Sequence, residues 1–108
     1  MLKRSALAFL FFVIEVQKMI VSKVKRDLRI NHNLIDGEIS DVVNSCVLDL
    51  AQAGISIDIN SLSAIEETAV KLYCKAWYDF GGKGEQYKKN YESLKIALSI
   101  CQGERADV

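Results

Sequence analysis

Apolar residues return every third or fourth position along most of the chain, which is the spacing that lines one face of an α-helix. In the first such segment the repeat falls at Ile20, Val24 and Leu28, with basic residues between them. The polar run Asn-His-Asn at residues 31–33 follows closely and favours a turn. The pattern therefore predicts a short first helix near residues 20–28.

A longer amphipathic helix is predicted over residues 34–53. Asn33 followed by Asp36 fits a helix start, because a side-chain oxygen can accept from a free amide and a carboxylate suits the positive end of the helix. Gly54 stands where a left-handed residue commonly ends a helix. The apolar stripe of this helix consists of Ile35, Ile39, Val42, Val43, Cys46 and Leu50.

The third predicted helix begins with Ser63-Ala-Ile-Glu66, a capping-box pattern in which serine and glutamate satisfy two free amides. It extends to about Phe80 and is apolar over most of its surface. Such a helix should be the central one, or part of its surface should meet another subunit. Its one narrow polar row has the four-residue spacing that permits ion pairing, and comprises Glu67, Lys71, Lys75 and Asp79.

A glycine-rich turn at residues 81–84 leads into a fourth predicted helix, from about Glu85 to Cys101. Gly103 should end this helix, so residues 103–108 are expected to form a polar tail. Residues 55–59 alternate isoleucine with polar residues but have no partner strand, and we interpret them as an extended connector.

Helical segments joined by short connections predict an all-α fold, a small antiparallel bundle of about four helices of which the first is short. The helical domain is expected to cover residues 19–102. The residues expected in its core are Val24, Leu28, Ile35, Ile39, Val43, Cys46, Leu50, Ala69, Tyr73, Trp77, Tyr91, Leu94 and Leu98.

Residues 1–18 do not fit this pattern. The apolar run Ala6 to Ile14 follows two basic residues, as in a secretory signal, but no small-x-small cleavage motif comes after it. The run is also shorter than the roughly 20 residues that span a membrane. Glu15-Val16 can be encoded by a bacterial ribosome-binding core at a normal distance from Met19. We therefore interpret residues 1–18 as a mis-assigned extension upstream of the true start, with a signal or anchor and a genuine extension as alternatives.

Composition narrows the class of protein. Half of the residues are hydrophobic, which is enough for a core and excludes a disordered chain. Three cysteines without a Cys-x-x-Cys pair disfavour a disulfide scaffold. Cys46, Cys74 and Cys101 fall on apolar helix faces and are expected to be reduced core thiols of a cytosolic protein. The 14 basic and 14 acidic residues cancel, so the total charge does not indicate a strongly basic nucleic-acid binder.

No set of residues points to catalysis. His32 is the only histidine, so it cannot join another in a metal site. The glycines of residues 81–84 lack the spacing and the preceding strand of a phosphate-binding loop. Glu66 and Glu67 are neighbours on a helix and point in different directions, which does not imply a shared acid–base site. We expect no enzymatic activity, no cofactor and no metal.

The order of charge along the chain is more informative than its total. Residues 23–29 hold four basic side chains and one acidic one, residues 30–70 hold seven acidic and no lysine or arginine, and residues 71–95 hold six lysines against three acids. This order fits ordinary solvated faces, or head-to-tail association in which an acidic face meets a basic face of the next copy and builds a ring. The candidate subunit-interface or channel charges are Lys23, Arg26, Arg29, Asp36, Glu38, Asp41, Asp49, Lys71 and Lys75.

Several segments together resemble one family. The segment Ile20-Val-Ser-Lys-Val-Lys-Arg-Asp-Leu-Arg-Ile30, followed by Asp36-Gly-Glu-Ile39, resembles the opening of the phage head–tail connector proteins, which are often labelled phage DNA-packaging proteins. Ala69 to Tyr78 is similar to the aromatic third helix of that family, and Tyr87 to Leu98 is similar to its last helix. The resemblance covers nearly everything after the opening 18 residues, and Asn31 stands where the family often has an acidic residue.

The resemblance implies a structural protein of a phage or prophage. Such proteins form a ring, commonly of twelve copies, beneath the portal of a filled capsid. The ring extends the DNA channel and presents a surface to the next head-completion or tail component. Acidic groups in the channel would let DNA pass without specific binding. The implied location is the host bacterial cytoplasm during assembly and then the virion neck, with no membrane.

Two other classes stay open. A small cytosolic helical interaction or regulatory module would share the fold but would remain a monomer or dimer. A DNA-binding regulator is disfavoured, because the second helix is the longest candidate recognition helix and has no basic residue to meet phosphate.

Overall fold

The computed structural model describes residues 19–106, apart from the side chains of Asn60 and of residues 102–106. The predicted extension at residues 1–18 lies outside the described residues, as does the end of the predicted tail at residues 107–108. Within the described range the chain forms helices and their connections and no β-strand, which confirms the predicted all-α class.

The described range contains α1 (residues 19–28), α2 (Asp36–Gln52), α3 (Ala64–Trp77) and α4 (Gly84–Ala106). Residues 55–58 have no regular structure and act as the expected connector between α2 and α3. Two short 3-10 turns, Ile59–Ser61 and Phe80–Gly82, precede α3 and α4.

Contacts between α1 and α3 show that these two helices run in the same direction. Lys23 pairs with Glu67, and one turn further along α1 Asp27 pairs with Lys75. Between them in sequence, α2 packs against α3 and runs the opposite way, since Glu38 near its start lies beside Tyr78 and Asp49 near its end lies close to Tyr73, earlier in α3. The first three helices therefore alternate in direction.

Contacts between α2 and α4 show that these two helices also run in the same direction. The Tyr91 hydroxyl donates to Asp49, and two turns further along α4 the Ser99 hydroxyl donates to the carbonyl of Ala53. Because α3 packs against both α2 and α4, it is the central helix, as its broad apolar surface predicts. The four helices form an antiparallel bundle.

Buried side chains from all four helices form the core of the described part of the chain. Ile35, Tyr73 and Leu94 are only partly buried and pack against it. Ile55 lies in the connector and was not predicted in the core, but it is fully buried, and its amide donates to the Leu50 carbonyl. Most residues of the predicted core are buried as expected: Val24, Leu28, Ile39, Val43, Cys46, Leu50, Ala69, Tyr91 and Leu98.

Two residues expected in the core are on the surface. Trp77 is 58% exposed because it is the last residue of α3, where its ring stacks on Tyr73 and lines an open groove. Cys101 is exposed because Ser99 already contacts Ala53, the residue that caps α2, so Cys101 lies beyond the end of that helix.

The start of α2 differs from the predicted one. Ile35 is the N-cap residue and provides no side-chain cap. Lys25 explains the change, because its ammonium group donates to Asn33 Oδ1 at 2.6 Å and pairs with Asp36 at 2.9 Å. The Asn33 oxygen therefore fixes the α1–α2 turn instead of capping α2. At the other end Gly54 has a φ of +81°, which is the left-handed conformation that the sequence predicts for a helix stop.

The capping box at the start of α3 is confirmed. Ser63 Oγ accepts from the Glu66 amide at 3.2 Å, and Glu66 Oε1 accepts from the Ser63 amide at 2.9 Å. The helix ends at Trp77 and does not reach Phe80, because Asp79 adopts a left-handed φ of +49°.

Gly84 begins α4 in a close contact with the preceding turn. Its amide donates to Asp79 Oδ1 at 2.8 Å, and a Cβ atom placed on Gly84 would lie 2.7 Å from that oxygen. At the far end, Gly103 does not stop the helix, which continues to Ala106. A glycine inside a helix costs only about 1 kcal/mol relative to alanine, so one glycine does not force a helix to end.

Candidate assembly surfaces

Most of the predicted interface charges are paired within the molecule. Glu67 lies between two lysines, at 3.1 Å from Lys23 Nζ and 3.2 Å from Lys71 Nζ. Hydrogen bonds from Lys23 and then Lys71 hold the pKa of this carboxyl below its ordinary value. Lys71 pairs along its own helix, as the four-residue spacing allows, whereas Lys23 joins α1 to α3.

Three more predicted interface charges are paired. Lys75 Nζ lies 3.2 Å from Asp27 and also sits over the rings of Phe80 and Tyr87. Asp36 pairs with Lys25 as described for the α1–α2 turn. Asp49 belongs to a cluster between α2 and α4.

The α2–α4 cluster consists of Asp49, Tyr91, Lys95 and Cys46. Asp49 Oδ2 accepts from the Tyr91 hydroxyl at 2.6 Å and from Lys95 Nζ at 3.2 Å. The Cys46 thiol is 4.0 Å from the same hydroxyl. The sequence pattern predicts Tyr91 in the core but gives no sign of its contact with Asp49. The only local sign was that Tyr91 and Lys95, four residues apart, share a face of α4.

Protonation in this cluster follows from burial and hydrogen bonding. The hydrogen bond from Tyr91 lowers the pKa of Asp49 against the opposing effect of burial, and Lys95 lowers it further. Burial and the hydrogen bond to Asp49 raise the pKa of Tyr91. Burial raises the pKa of the Cys46 thiol to about 12. The phenol and the thiol therefore stay protonated near neutral pH, so the cluster holds two helices together and provides no nucleophile.

Four predicted interface charges remain available at the surface. Arg26, Arg29 and Asp41 are exposed and form no ion pair within the described residues. Glu38 is also exposed and lies beside Tyr78, where burial and this carboxylate raise the pKa of the phenol to about 12.

Large apolar side chains are exposed on the outer sides of α2 and α4. Leu48 is 65% exposed, Ile96 is 61% exposed and Ile100 is 59% exposed. Leu48 lies on α2, whereas Ile96 and Ile100 lie on the side of α4 opposite Tyr91. The sequence pattern does not distinguish these side chains, because another apolar stripe on each helix already accounts for the core.

An open groove lies beside Trp77. Its volume is about 310 Å³, and Tyr73 and Tyr91 form part of its wall with their rings 5.2 Å apart in an edge-to-face arrangement. The groove is lined by Asp49, Tyr73, Ala76, Trp77, Lys88, Tyr91 and Glu92. Aromatic side chains of α3 and α4 therefore meet beside the groove, with Trp77 exposed at its edge.

Within the described residues no three His, Cys, Asp or Glu side chains come together as metal ligands. In the same part of the chain, no helix has both the length and the apolar character needed to cross a membrane.

Comparison with known proteins identifies a family that this chain matches. A family model described as "Phage connector protein" matches residues 20–105, which include nearly all of the four helices. No curated protein and no solved structure matches the chain.

Proposed function

We propose that this chain, which belongs to the phage connector protein family, assembles as a ring beneath the portal and joins the head of the particle to its tail. The observation that carries the proposal is the extent of the family match, which covers α1 to α4 and so concerns the whole bundle. The family is a structural one, and the role proposed is mechanical.

The ring would extend the DNA channel from the portal and offer a surface to the next head-completion or tail component. A ring of twelve copies is the size that the family resemblance implies. The host bacterial cytoplasm is the proposed location during assembly, and the virion neck is the location afterwards.

Internal ion pairs narrow the set of charges that can serve this role. Lys23, Asp36, Asp49, Lys71 and Lys75 stabilise the subunit itself. We therefore assign the subunit contacts and the channel wall to exposed charges that form no ion pair within the described residues, which among the nine predicted residues are Arg26, Arg29, Glu38 and Asp41. A carboxylate facing the channel repels phosphate and lets DNA slide.

Deletion of the gene from the phage or prophage tests the proposal. We expect DNA-filled heads without tails to accumulate, and we expect the wild-type gene supplied from a plasmid to restore tailed particles. Electron microscopy of the lysates gives the readout, and antibody labelling of restored particles should mark the neck. Tailed, infectious particles from the deletion strain would overturn the proposal.

A further inference from the structure

Two exposed helix faces in this molecule have complementary chemistry. The outer face of α2 consists of Asp41, Asn44, Leu48 and Ala51, at alternating steps of three and four residues. The outer face of α4 consists of Lys89, Ser93, Ile96 and Ile100, again at such steps, and every residue of both faces is exposed. Neither face takes part in the contact between α2 and α4 inside the subunit, which uses Asp49, Tyr91 and Lys95.

The spacing of charge and apolar groups is the same on both faces. Asp41 precedes Leu48 by seven residues, and Lys89 precedes Ile96 by seven residues. Seven residues make about two helical turns and a rise of roughly 10.5 Å. Two such helices laid parallel therefore place the Asp41 carboxylate opposite the Lys89 ammonium group while Leu48 meets Ile96. The small side chain of Ala51 then leaves room for Ile100.

We propose that the outer face of α2 in one copy packs in parallel on the outer face of α4 in the next copy. This inference rests on the proposed function, since it assigns the contact that a ring requires. The two faces are different, so each copy offers one to each neighbour, and repetition of such a heterologous contact builds a ring or a filament.

Charge favours a second copy as the occupant of the outer face of α2. No lysine or arginine occurs between Ile30 and Val70, so two α2 faces brought together would oppose carboxylates without a cation. The outer face of α4 supplies a lysine that has no ion pair within the described residues, next to two exposed isoleucines. Asp41 likewise has no ion pair in that part of the chain. Contact between the faces would neutralise both charges and cover Leu48, Ile96 and Ile100.

A charge-swap experiment tests the contact on the purified chain. Asp41→Lys and Lys89→Asp are made singly and together, and self-association is measured by sedimentation velocity over a range of concentrations. Each single reversal should weaken association by about three- to tenfold, because attraction becomes repulsion, and the double reversal should restore it. Lys83→Asp is the matched control, because Lys83 is exposed, has no ion pair in the described range and lies outside both faces. A double variant as weak as the single ones would overturn the assignment.

Disulfide trapping gives the independent geometric test. Leu48→Cys and Ile96→Cys are combined in a Cys101→Ser background, and oxidation is carried out on the purified chain and on purified phage particles. A heterologous contact should give a ladder of crosslinked dimers, trimers and longer species. Dimers alone, a crosslink through Ile96→Cys without Leu48→Cys, or no crosslink in either sample would each overturn the proposal. The deletion phenotype does not depend on these variants, so failure of this contact is distinguishable from failure of the connector role.

Discussion

The Tyr91 hydroxyl donates a 2.6 Å hydrogen bond to Asp49 Oδ2 and thereby joins α4 to α2 across 42 residues of sequence. Tyr91 is only 3% exposed, so the bond is shielded from water on the tyrosine side. Lys95 donates to the same carboxylate oxygen. This contact explains why Asp49, which sequence patterning assigns to a subunit interface or channel, works inside the subunit.

Loss of the Tyr91 hydroxyl should destabilise the bundle. Tyr91→Phe keeps the ring but removes the hydrogen bond to a charged acceptor, and we expect the free energy of unfolding to fall by about 1.5–3 kcal/mol. Urea unfolding followed by circular dichroism measures it. Tyr87→Phe is the control, since the Tyr87 hydroxyl makes no hydrogen bond within the described residues, and it should change stability by less than about 0.5 kcal/mol. Equal effects of the two variants would contradict the importance of this bond.

Acid should weaken the fold through the same carboxylate. The pKa of Asp49 is lower in the folded chain than its ordinary value of 3.8, so its stabilising effect is full above that value. It is lost as pH falls through the lowered folded-state pKa. Unfolding midpoints measured from about pH 6 to about pH 2 should therefore fall at the acid end. Tyr91→Phe removes the largest cause of the shift, so its midpoint should fall less steeply there; an unchanged slope would contradict the assignment.

Gly84 should tolerate no side chain, because a Cβ atom there would lie 2.7 Å from Asp79 Oδ1 and 3.2 Å from the Ala76 carbonyl oxygen. Gly84→Ala should cost about 1–3 kcal/mol, because the Asp79 carboxylate would have to move and the Ala76 carbonyl would be crowded. Gly37→Ala is the matched control, since Gly37 lies in α2 and a Cβ atom there would meet no neighbouring group within 4 Å. That variant should be neutral or stabilising by up to about 1 kcal/mol. Thermal unfolding measures the stability of both variants, and equal midpoints for Gly84→Ala and Gly37→Ala would contradict the prediction.

Trp77 is the only tryptophan, so intrinsic fluorescence reports on this position alone. Because the side chain is 58% exposed, its emission in the folded monomer should be red-shifted and readily quenched by acrylamide, close to the behaviour of the unfolded chain. A blue-shifted, protected tryptophan in the dilute monomer would contradict the exposed position at the end of α3.

The three cysteines should differ in reactivity. Cys46 and Cys74 are fully buried, and burial raises the pKa of each thiol to about 12, whereas Cys101 is exposed. An aromatic disulfide reagent should therefore modify one thiol rapidly in the native chain and three in denaturant. Cys101→Ser should abolish the rapid phase. Persistence of that phase in the variant would show that a buried thiol is accessible.

Local signals in the sequence predicted the helices well. The apolar stripes and the Ser63–Glu66 capping box depend on residues within one or two turns, and the structure places helices and a cap there. The exposure of Trp77 and Cys101 could not be predicted in this way. Both residues lie at the end of an apolar stripe. Whether such a residue is buried depends on whether a neighbouring helix extends far enough to cover it.

Ion pairs between helices could be predicted from the sequence even less than the exposure of these side chains. The Glu67–Lys71 pair follows from spacing along one helix, but Lys23–Glu67 and Asp49–Lys95 join residues 44 and 46 positions apart. Blocks of like charge predicted attraction between copies, and many of those charges instead meet when the helices fold against each other. Only the helix packing reveals which charges stay available for a partner.

The contact between α2 and α4 determines when the bundle can form during protein synthesis. Cys46, Asp49 and Ala53 contact residues of α4 that lie 42–46 positions downstream. A nascent chain that ends before Tyr91 leaves the α4-facing side of α2 uncovered, because the residues that cover it have not yet been added. We therefore expect the bundle to close only once α4 has left the ribosome, so that a product truncated before α4 would keep apolar surface open to chaperones and proteases.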